Sequence, residues 1–232
     1  MIFNDFFNGL IGGTVSALLL SPLDAFRIQK QLGDKLTLNR EVLKRATVGC
    51  LAAQPAFWAV FWSIRKEVKK HVNVYVEPWI SSSISSFICN PLFCFRTRVS
   101  ALDHFNISIR DVWKVNFALR DKWTRGLGAT FFHNIQFSAL VPLVETYKDK
   151  QDTLSSTILK TAVSKIIVGT IWYPVEVFRT FRRMGIDDSI SKFFLKTPPH
   201  VHWQGYGMFL IRTVPQTAIA LGGTIWLTNN QK

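Results

Sequence analysis

The sequence predicts an all-α membrane protein with six transmembrane helices arranged in three two-helix repeats. The chain has 232 residues, of which 48% are hydrophobic and only 19% are charged, a low charged fraction for a soluble domain of this length. Its mean hydropathy is +0.15. A proline-containing motif occurs three times along the chain. We therefore treat residues 1–232 as one domain, with repeats at about 1–73, 74–151 and 152–232.

The six predicted helices correspond to stretches with little or no charge. A helix needs about 20 mostly apolar residues to cross a bilayer core, and a buried helix of a soluble protein would keep a polar stripe that these stretches lack. The fourth stretch contains His133, the sixth contains Arg212, and the fifth contains Lys160, Lys165 and Glu176. In chain order they are residues 6–23, 46–64, 78–95, 126–144, 154–178 and 203–229.

The charge balance indicates an anionic partner. Lys and Arg number 28 against 15 Asp and Glu, which gives a net charge of +13, and such an excess suits nucleic acid, anionic lipid or small anions. Because no polar domain is available to carry a nucleic-acid-binding surface, we expect no nucleic-acid partner. The N-terminal segment contains Asp5 and no basic region, so we expect no cleaved presequence.

Patterns typical of enzymes and metal sites are missing from the sequence. The three cysteines form no CxxC pair, and His200 and His202 are the only closely spaced histidines. We find no Ser/His/Asp set, Walker A loop or GxGxxG segment. We therefore predict a protein that is not an enzyme and that needs neither a cofactor nor a metal ion.

The repeated motif places a base five residues after a proline. An acid two residues after the proline lies on the same helix face as that base, and the proline bends the helix just before them. Charges at membrane depth are costly unless they pair or face water, which indicates a functional site, although a permanent brace between helices is the alternative. The prolines are Pro22, Pro91 and Pro174, the bases are Arg27, Arg96 and Arg179, and the intervening positions hold Asp24, Phe93 and Glu176.

These copies resemble the signature of the mitochondrial carrier family, which reads Pro-x-acid-x-x-base-x-(base or Gln), then a short loop, then aromatic-base-Gly. Residues 22–29 fit at every specified position, whereas the second copy departs at Phe93 and the third at Phe181. The sequences Trp-Thr-Arg-Gly at 123–126 and Trp-Gln-Gly at 203–205 precede the fourth and sixth stretches. The resemblance covers nearly the whole chain, with shorter loops, and short carriers encoded by large DNA viruses are similar to it.

The resemblance implies an architecture and a location. It implies three pseudo-symmetric two-helix repeats around a central cavity, in a monomer of the mitochondrial inner membrane, with helices kinked at Pro22, Pro91 and Pro174. It also implies that cardiolipin binds where even-numbered helices begin, at Gly126 and Gly205, because free backbone N–H groups there can bind phosphate.

A gate on the matrix side is also implied by the resemblance. In the family, the acid of one repeat pairs with the base of the next, so Asp24 would pair with Arg96 and Glu176 with Arg27. The glutamine of the first motif, Gln29, can then cap one pair by hydrogen bonding.

The second repeat lacks its acid. Phe93 leaves Arg179 without its usual partner, so we expect two ion pairs instead of three and a less stable closed state on the matrix side.

A weaker gate is expected on the cytoplasmic side. Glu145 and Lys148 retain the acid and base of the family's cytoplasmic element. Glu145 is expected to pair with Lys66 or Lys69, although these lysines are equally typical of solvated charges at a helix end.

The family binds its substrate on the even-numbered helices near the middle of the membrane. Lysine and arginine inside apolar helices are candidates for function, although Lys165 occupies a position where the family often has a small helix-packing residue. A hydrogen-bonded core histidine is nearly as good an interpretation of His133. The aligned candidate substrate-binding residues are Gly49, Ala52, His133, Asn134, Lys165 and Arg212.

The sequence therefore predicts a transporter that moves a small anionic metabolite by alternating access between ion-pair gates. Because these contact positions are cationic and hold no acid, an anion is favoured. The residue pairs that the family links to amino acids or nucleotides are missing, so the viral resemblance alone makes a nucleotide or deoxynucleotide, moved by exchange, the first candidate. A carrier of phosphate or a carboxylate, and a carrier-like scaffold or receptor that does not transport, remain as alternatives.

Overall fold

The computed structural model describes residues 2–37, 39–101, 107–118, 123–146, 153–186 and 189–222, with the side chains at 2–5, 117–118 and 146 left out. Within these ranges the chain is helical and contains no β-strand, so the all-α prediction is confirmed. The helices are α1 (Ile2–Gln31), α2 (Arg40–Val68), α3 (Glu77–Ser100), α4 (Ile109–Ala118), α5 (Leu127–Asn134), α6 (Gln136–Thr146), α7 (Leu154–Met184), α8 (Ile190–Lys196) and α9 (Tyr206–Thr217).

Local sequence explains where several helices begin and end. The Asn39 side chain accepts a hydrogen bond from Val42 N at 2.8 Å at the start of α2, and the Thr153 hydroxyl plays the same part at the start of α7. The last turn of α7 ends at Gly185, whose φ of +81° is readily adopted only by glycine.

The long helices pack in chain order, and the last one packs on the first. Helix α1 lies along α2, α2 along α3, α3 against α5 and α6, these against α7, and α7 against α9, which contacts α1. The α1–α2 contact is close because a Cβ at Gly9 would lie 2.5 Å from Trp58 O, and one at Gly13 would lie 2.7 Å from the Cα of Pro55. The helices therefore form a closed ring.

Interruptions are concentrated in the later helices. Pro22, Pro91 and Pro174 lie inside α1, α3 and α7, which continue beyond them. A turn at Ile135 separates α5 from α6, and α9 continues into a π-helical segment, Ala218–Gly222. Such local departures from α-helix geometry are frequent near functional sites.

Four helical stretches in the described part of the chain are long and apolar enough to cross a membrane. They are Phe6–Gln31, Arg40–Val68, Leu127–Glu145 and Leu154–Met184. Apolar side chains such as Leu19, Leu159 and Ile171 are exposed on the outside of the ring, which suits a lipid environment better than water. Helix α3 is rich in serine, and the described part of the last helix, residues 206–222, is short for a span, so the expected number of six stays a prediction.

Candidate functional site

A small cavity lies inside the ring of helices, with a free volume of about 90 Å³. Among the described residues, its wall carries no carboxylate. The wall consists of cationic, uncharged polar and aromatic side chains. Its six cationic side chains come from α1, α3, α7 and α9: Arg27, Arg96, Lys165, Arg179, Arg183 and Arg212.

Asp24 lies directly behind this wall and is fully buried. Its carboxylate accepts a hydrogen bond from Arg96 Nε at 2.6 Å and lies 3.2 Å from Nη2 of Arg27. Arg212 Nε is 3.1 Å from Asp24 Oδ1, although its N–H does not form an aligned hydrogen bond. One carboxylate thus neutralises guanidinium groups from α1, α3 and α9.

Glu176 forms the second centre of this network. It is buried and accepts hydrogen bonds from Arg27 and from Arg179, which follows it by one turn of α7. His133 Nε2 lies 2.7 Å from Oε2 of Glu176. Because Arg27 contacts both Asp24 and Glu176, the two centres form one network, which we call the motif network.

The cross-repeat ion pairs expected from the resemblance, Asp24 with Arg96 and Glu176 with Arg27, are present in the structure. Phe93 occupies the place of the usual cross-repeat acid of Arg179, and Arg179 instead contacts Glu176, which lies one turn earlier on its own helix. Arg212 also contacts a carboxylate, because Asp24 reaches it from α1.

Gln29 does not cap an ion pair. Its Oε1 accepts a hydrogen bond from Thr37 N at 3.0 Å, which fixes the loop after α1. The expectation that Gln29 caps an ion pair is wrong. The short loop after α1 folds back so that Thr37 N donates to the side-chain amide oxygen of Gln29.

A second ion-pair network joins the other end of the ring. Arg65 Nη2 is 2.7 Å from Glu145 Oε1, and Arg65 Nε is 3.1 Å from Glu77 Oε2. The Nζ of Lys69 lies 3.9 Å from Glu145 Oε2, and Lys66 lies at the same helix end, half-buried. We call Arg65, Lys69, Glu77 and Glu145 the end network.

Sequence analysis identified Glu145 and Lys69 in this network but missed its central base. Arg65 points into the ring and is buried, whereas the sequence-based expectation names only the lysines that follow it. Glu77 was missed because it lies at the very start of α3. The expected partner residue Lys148 lies outside the described residues.

An aromatic cluster fills the space between the cavity and the end network. Phe57, Trp58, Phe93 and Phe137 contact the cavity, and the same cluster extends through Phe61 and Trp62 to Val144. The guanidinium of Arg65 lies over the Trp62 ring, 5.1 Å from its centre. The polar cavity is therefore separated from one end of the molecule by a layer of aromatic and aliphatic side chains.

Four of the six expected substrate-binding residues line the cavity: His133, Asn134, Lys165 and Arg212. Lys165 Nζ donates to Gln136 Oε1 at 2.6 Å, and the same glutamine contacts His133. Asn134 Nδ2 donates to Ser86 Oγ at 2.9 Å, so this amide is already bonded to α3.

The expectations for Gly49 and Ala52 are wrong. A Cβ at Gly49 would lie 2.8 Å from a methyl group of Val99, and Ala52 packs beside the same α3 residue in an apolar cluster. Helix α2 is rotated so that these small residues face α3, while Gln54 lines the cavity.

Cavity residues that sequence analysis missed include Gln54, Gln216 and Arg183. Gln54 and Gln216 are hydrogen-bonded to each other across α2 and α9. A signal for Gln54 was available, because it is the largest polar side chain in the uncharged stretch 46–64. Arg183 lies beyond the positions that the third motif specifies.

Helices α5 and α9 begin after the expected glycines. Gly126 and Gly205 have φ angles of +69° and +76°, and neither helix start has a side-chain cap. A Cβ at Gly126 would lie 3.0 Å from Arg183 Cγ. Lipid binding at these positions stays a prediction.

No protein-family model matches the chain, and no curated protein matches it. The described residues contain no group of three or more His, Cys, Asp or Glu side chains that could hold a metal ion. Function is therefore inferred from the arrangement of side chains around the cavity.

Proposed function

We propose that this protein is a solute transporter of the mitochondrial carrier type that moves a small anionic metabolite. In this proposal six transmembrane helices form three pseudo-symmetric repeats around the cavity, in the mitochondrial inner membrane. The observation that carries the proposal is the cavity wall, where six cationic side chains face the space and the two carboxylates of the motif network lie behind them.

The electrostatic balance supports an anionic substrate. Asp24 and Glu176 neutralise two of the six cations, and buried charge without a partner is costly in a membrane. A ligand with two or more negative charges would offset this excess of positive charge. It would bind to arginines and a lysine that already line the cavity. A nucleotide or deoxynucleotide is our first candidate, and phosphate or a carboxylate is the second.

The two networks support a gating mechanism. Both are formed in the same structure, one on each side of the polar cavity and its aromatic layer. The free volume of about 90 Å³ is smaller than the roughly 300–1,000 Å³ of a typical ligand pocket. In this proposal the structure is the closed conformation, and substrate entry requires one network to separate while the other holds.

A scaffold or receptor that does not transport is the second candidate. The aromatic cluster favours it, because its rings close the route between the cavity and the end network with tightly packed side chains. Phe57 lies 5.5 Å from Phe93 and 5.9 Å from Phe61, measured between ring centres. A transporter must separate these rings in every cycle.

Reconstitution into liposomes tests the proposal. Purified full-length protein would be incorporated with and without internal substrate, and uptake of labelled nucleotides, phosphate and dicarboxylates would be measured against protein-free liposomes. We expect saturable uptake of at least one of these anions, faster when the same anion is inside. A folded protein that takes up none of them would favour the scaffold.

A further inference from the structure

Arg183 differs from every other arginine on the cavity wall. Only 5% of its surface is exposed, and its side chain lines the cavity. Nη2 donates to Thr130 Oγ1 at 3.2 Å, and Nε has no hydrogen-bond partner. Within the described ranges no carboxylate contacts it. Arg27, Arg96, Arg179 and Arg212 each contact Asp24 or Glu176.

The surroundings of Arg183 hold it in place without neutralising it. The guanidinium lies over the Phe93 ring, 5.0 Å from its centre. The Thr130 hydroxyl donates to Gly126 O at 2.8 Å, so it must accept the hydrogen bond from Arg183. A Cβ at Gly126 would lie 3.0 Å from Arg183 Cγ. The Arg183 side chain is thus held by the Thr130 hydroxyl, the Phe93 ring and the nearby backbone at Gly126.

Phe93 explains why this arginine has no acid. It occupies the position that holds Asp24 and Glu176 in the other two motifs, and its ring, not a carboxylate, lies against the guanidinium. The side chain that breaks the motif therefore leaves a positive charge uncompensated at one side of the cavity. A guanidinium held in one orientation suits a planar or tetrahedral oxyanion, which it can bind through two N–H groups.

We propose that Arg183, oriented by Thr130 and supported by the face of Phe93, is a binding subsite for a phosphate or carboxylate group of the transported anion. The subsite rests on the transport function proposed above, and it assigns a ligand contact to α7 beyond the third motif. Thr130 acts as a positioning residue, because its own proton is already committed to Gly126 O.

The direct test replaces the charge and measures anion binding. Binding of ADP, inorganic phosphate and malate to full-length protein in lipid nanodiscs would be measured by calorimetry, with adenosine as an uncharged probe. For the anion that binds best, we expect Arg183→Gln to weaken binding about ten- to a hundredfold, as for the loss of a hydrogen-bonded charge contact. Arg182→Gln removes the same charge one residue away, off the cavity wall, and should change binding less than threefold.

A second test restores the missing carboxylate. Phe93→Glu has about the reach of the ring and should compete with the ligand for Arg183, so we expect anion binding to weaken at least tenfold and the melting temperature of the ligand-free protein to rise relative to Phe93→Gln. Phe93→Gln has the same shape as Phe93→Glu without the charge and lacks the ring in the same way, so it is the reference for both measurements. This pair keeps the test valid if Arg183→Gln does not fold.

The outcomes separate the subsite from the general function. Wild-type protein that binds none of the three anions overturns both proposals. Wild-type protein that binds an anion, with Arg183→Gln or Phe93→Glu binding it equally well, overturns the subsite alone. Equal losses in Arg183→Gln and Arg182→Gln would show a general charge effect, and would also overturn it.

Discussion

The two ion-pair networks at opposite sides of the cavity differ in charge and in exposure. The motif network is rich in cations, and its two carboxylates are buried. The end network has one buried arginine between two acids, and the side chain of Glu145 is 25% exposed. Water therefore reaches Glu145 of the end network more readily than the two carboxylates of the motif network, so we infer that the end network separates at a lower free-energy cost.

The largest effect of a substitution in either network is expected at Asp24 of the motif network. Asp24→Asn should lower the free energy of unfolding by about 3–5 kcal/mol, because it leaves three buried guanidinium groups without their shared carboxylate. We also expect uptake in liposomes to be lost. Thermal unfolding in detergent would measure the first effect, with Glu41→Gln as a control that removes a half-exposed acid from α2. An unchanged melting temperature would mean that the motif network does not stabilise this conformation.

A large effect on uptake with a small effect on stability is expected at Arg212. Arg212→Ala should abolish anion uptake, because it removes a cavity cation. It should change the free energy of unfolding by less than about 1 kcal/mol, since Asp24 keeps Arg96 and Arg27 and no buried carboxylate is left without a partner. Arg212→Lys should keep partial uptake if charge alone is sufficient. Loss of stability with unchanged uptake per folded molecule would instead make Arg212 a structural residue.

The end network should respond more weakly. Glu145→Gln removes one of the two acids on Arg65 while Glu77 remains, so we expect a loss of about 0–1 kcal/mol in stability. The initial uptake rate should rise, because the closed conformation at this end is weakened. Initial rates at matched protein content would show this, and a lower rate would indicate that opening this end is not limiting.

The smallest effect is expected at Lys69, whose side chain is 57% exposed and 3.9 Å from Glu145. Lys69→Ala should change stability by less than about 0.5 kcal/mol, as for most surface ion pairs. Lys70→Ala, which breaks an exposed pair with Glu67, provides the matched comparison. A clearly larger loss of stability in Lys69→Ala than in Lys70→Ala would show that Lys69 contributes to the end network.

The motif residues could be located from sequence because their chemistry is local. A proline, an acid and a base at fixed spacing lie on one helix face whatever the helix contacts, and the pairs of Asp24 with Arg96 and of Glu176 with Arg27 follow once the helices lie side by side. The end network lacks such a spacing. Arg65, Glu77 and Glu145 come from three helices, and only the packed ring brings them together.

The cavity contacts on α2 show a different limit. An alignment that places Ala52 beside His133 and Arg212 assumes that the three helices are rotated alike. In the structure α2 turns its small residues towards α3 and presents Gln54. Helix rotation depends on the sizes of neighbouring side chains, which the motif spacing does not encode. The partner of Arg212 was missed for a related reason, because Asp24 lies on another helix.

The close contact between α1 and α2 determines which parts of the protein can bend. There is no space for a Cβ at Gly9 or Gly13. We therefore expect that α1 and α2 do not slide past each other and that they move as one rigid body. Deformation must then be absorbed where the backbone hydrogen-bond ladder is already interrupted, at Ile135 and in Ala218–Gly222. Amide hydrogen exchange should accordingly be slow in α1 and α2 and faster at Ile135 and in Ala218–Gly222. Conformational change would then be unequal among the three repeats, although all of them carry the motif.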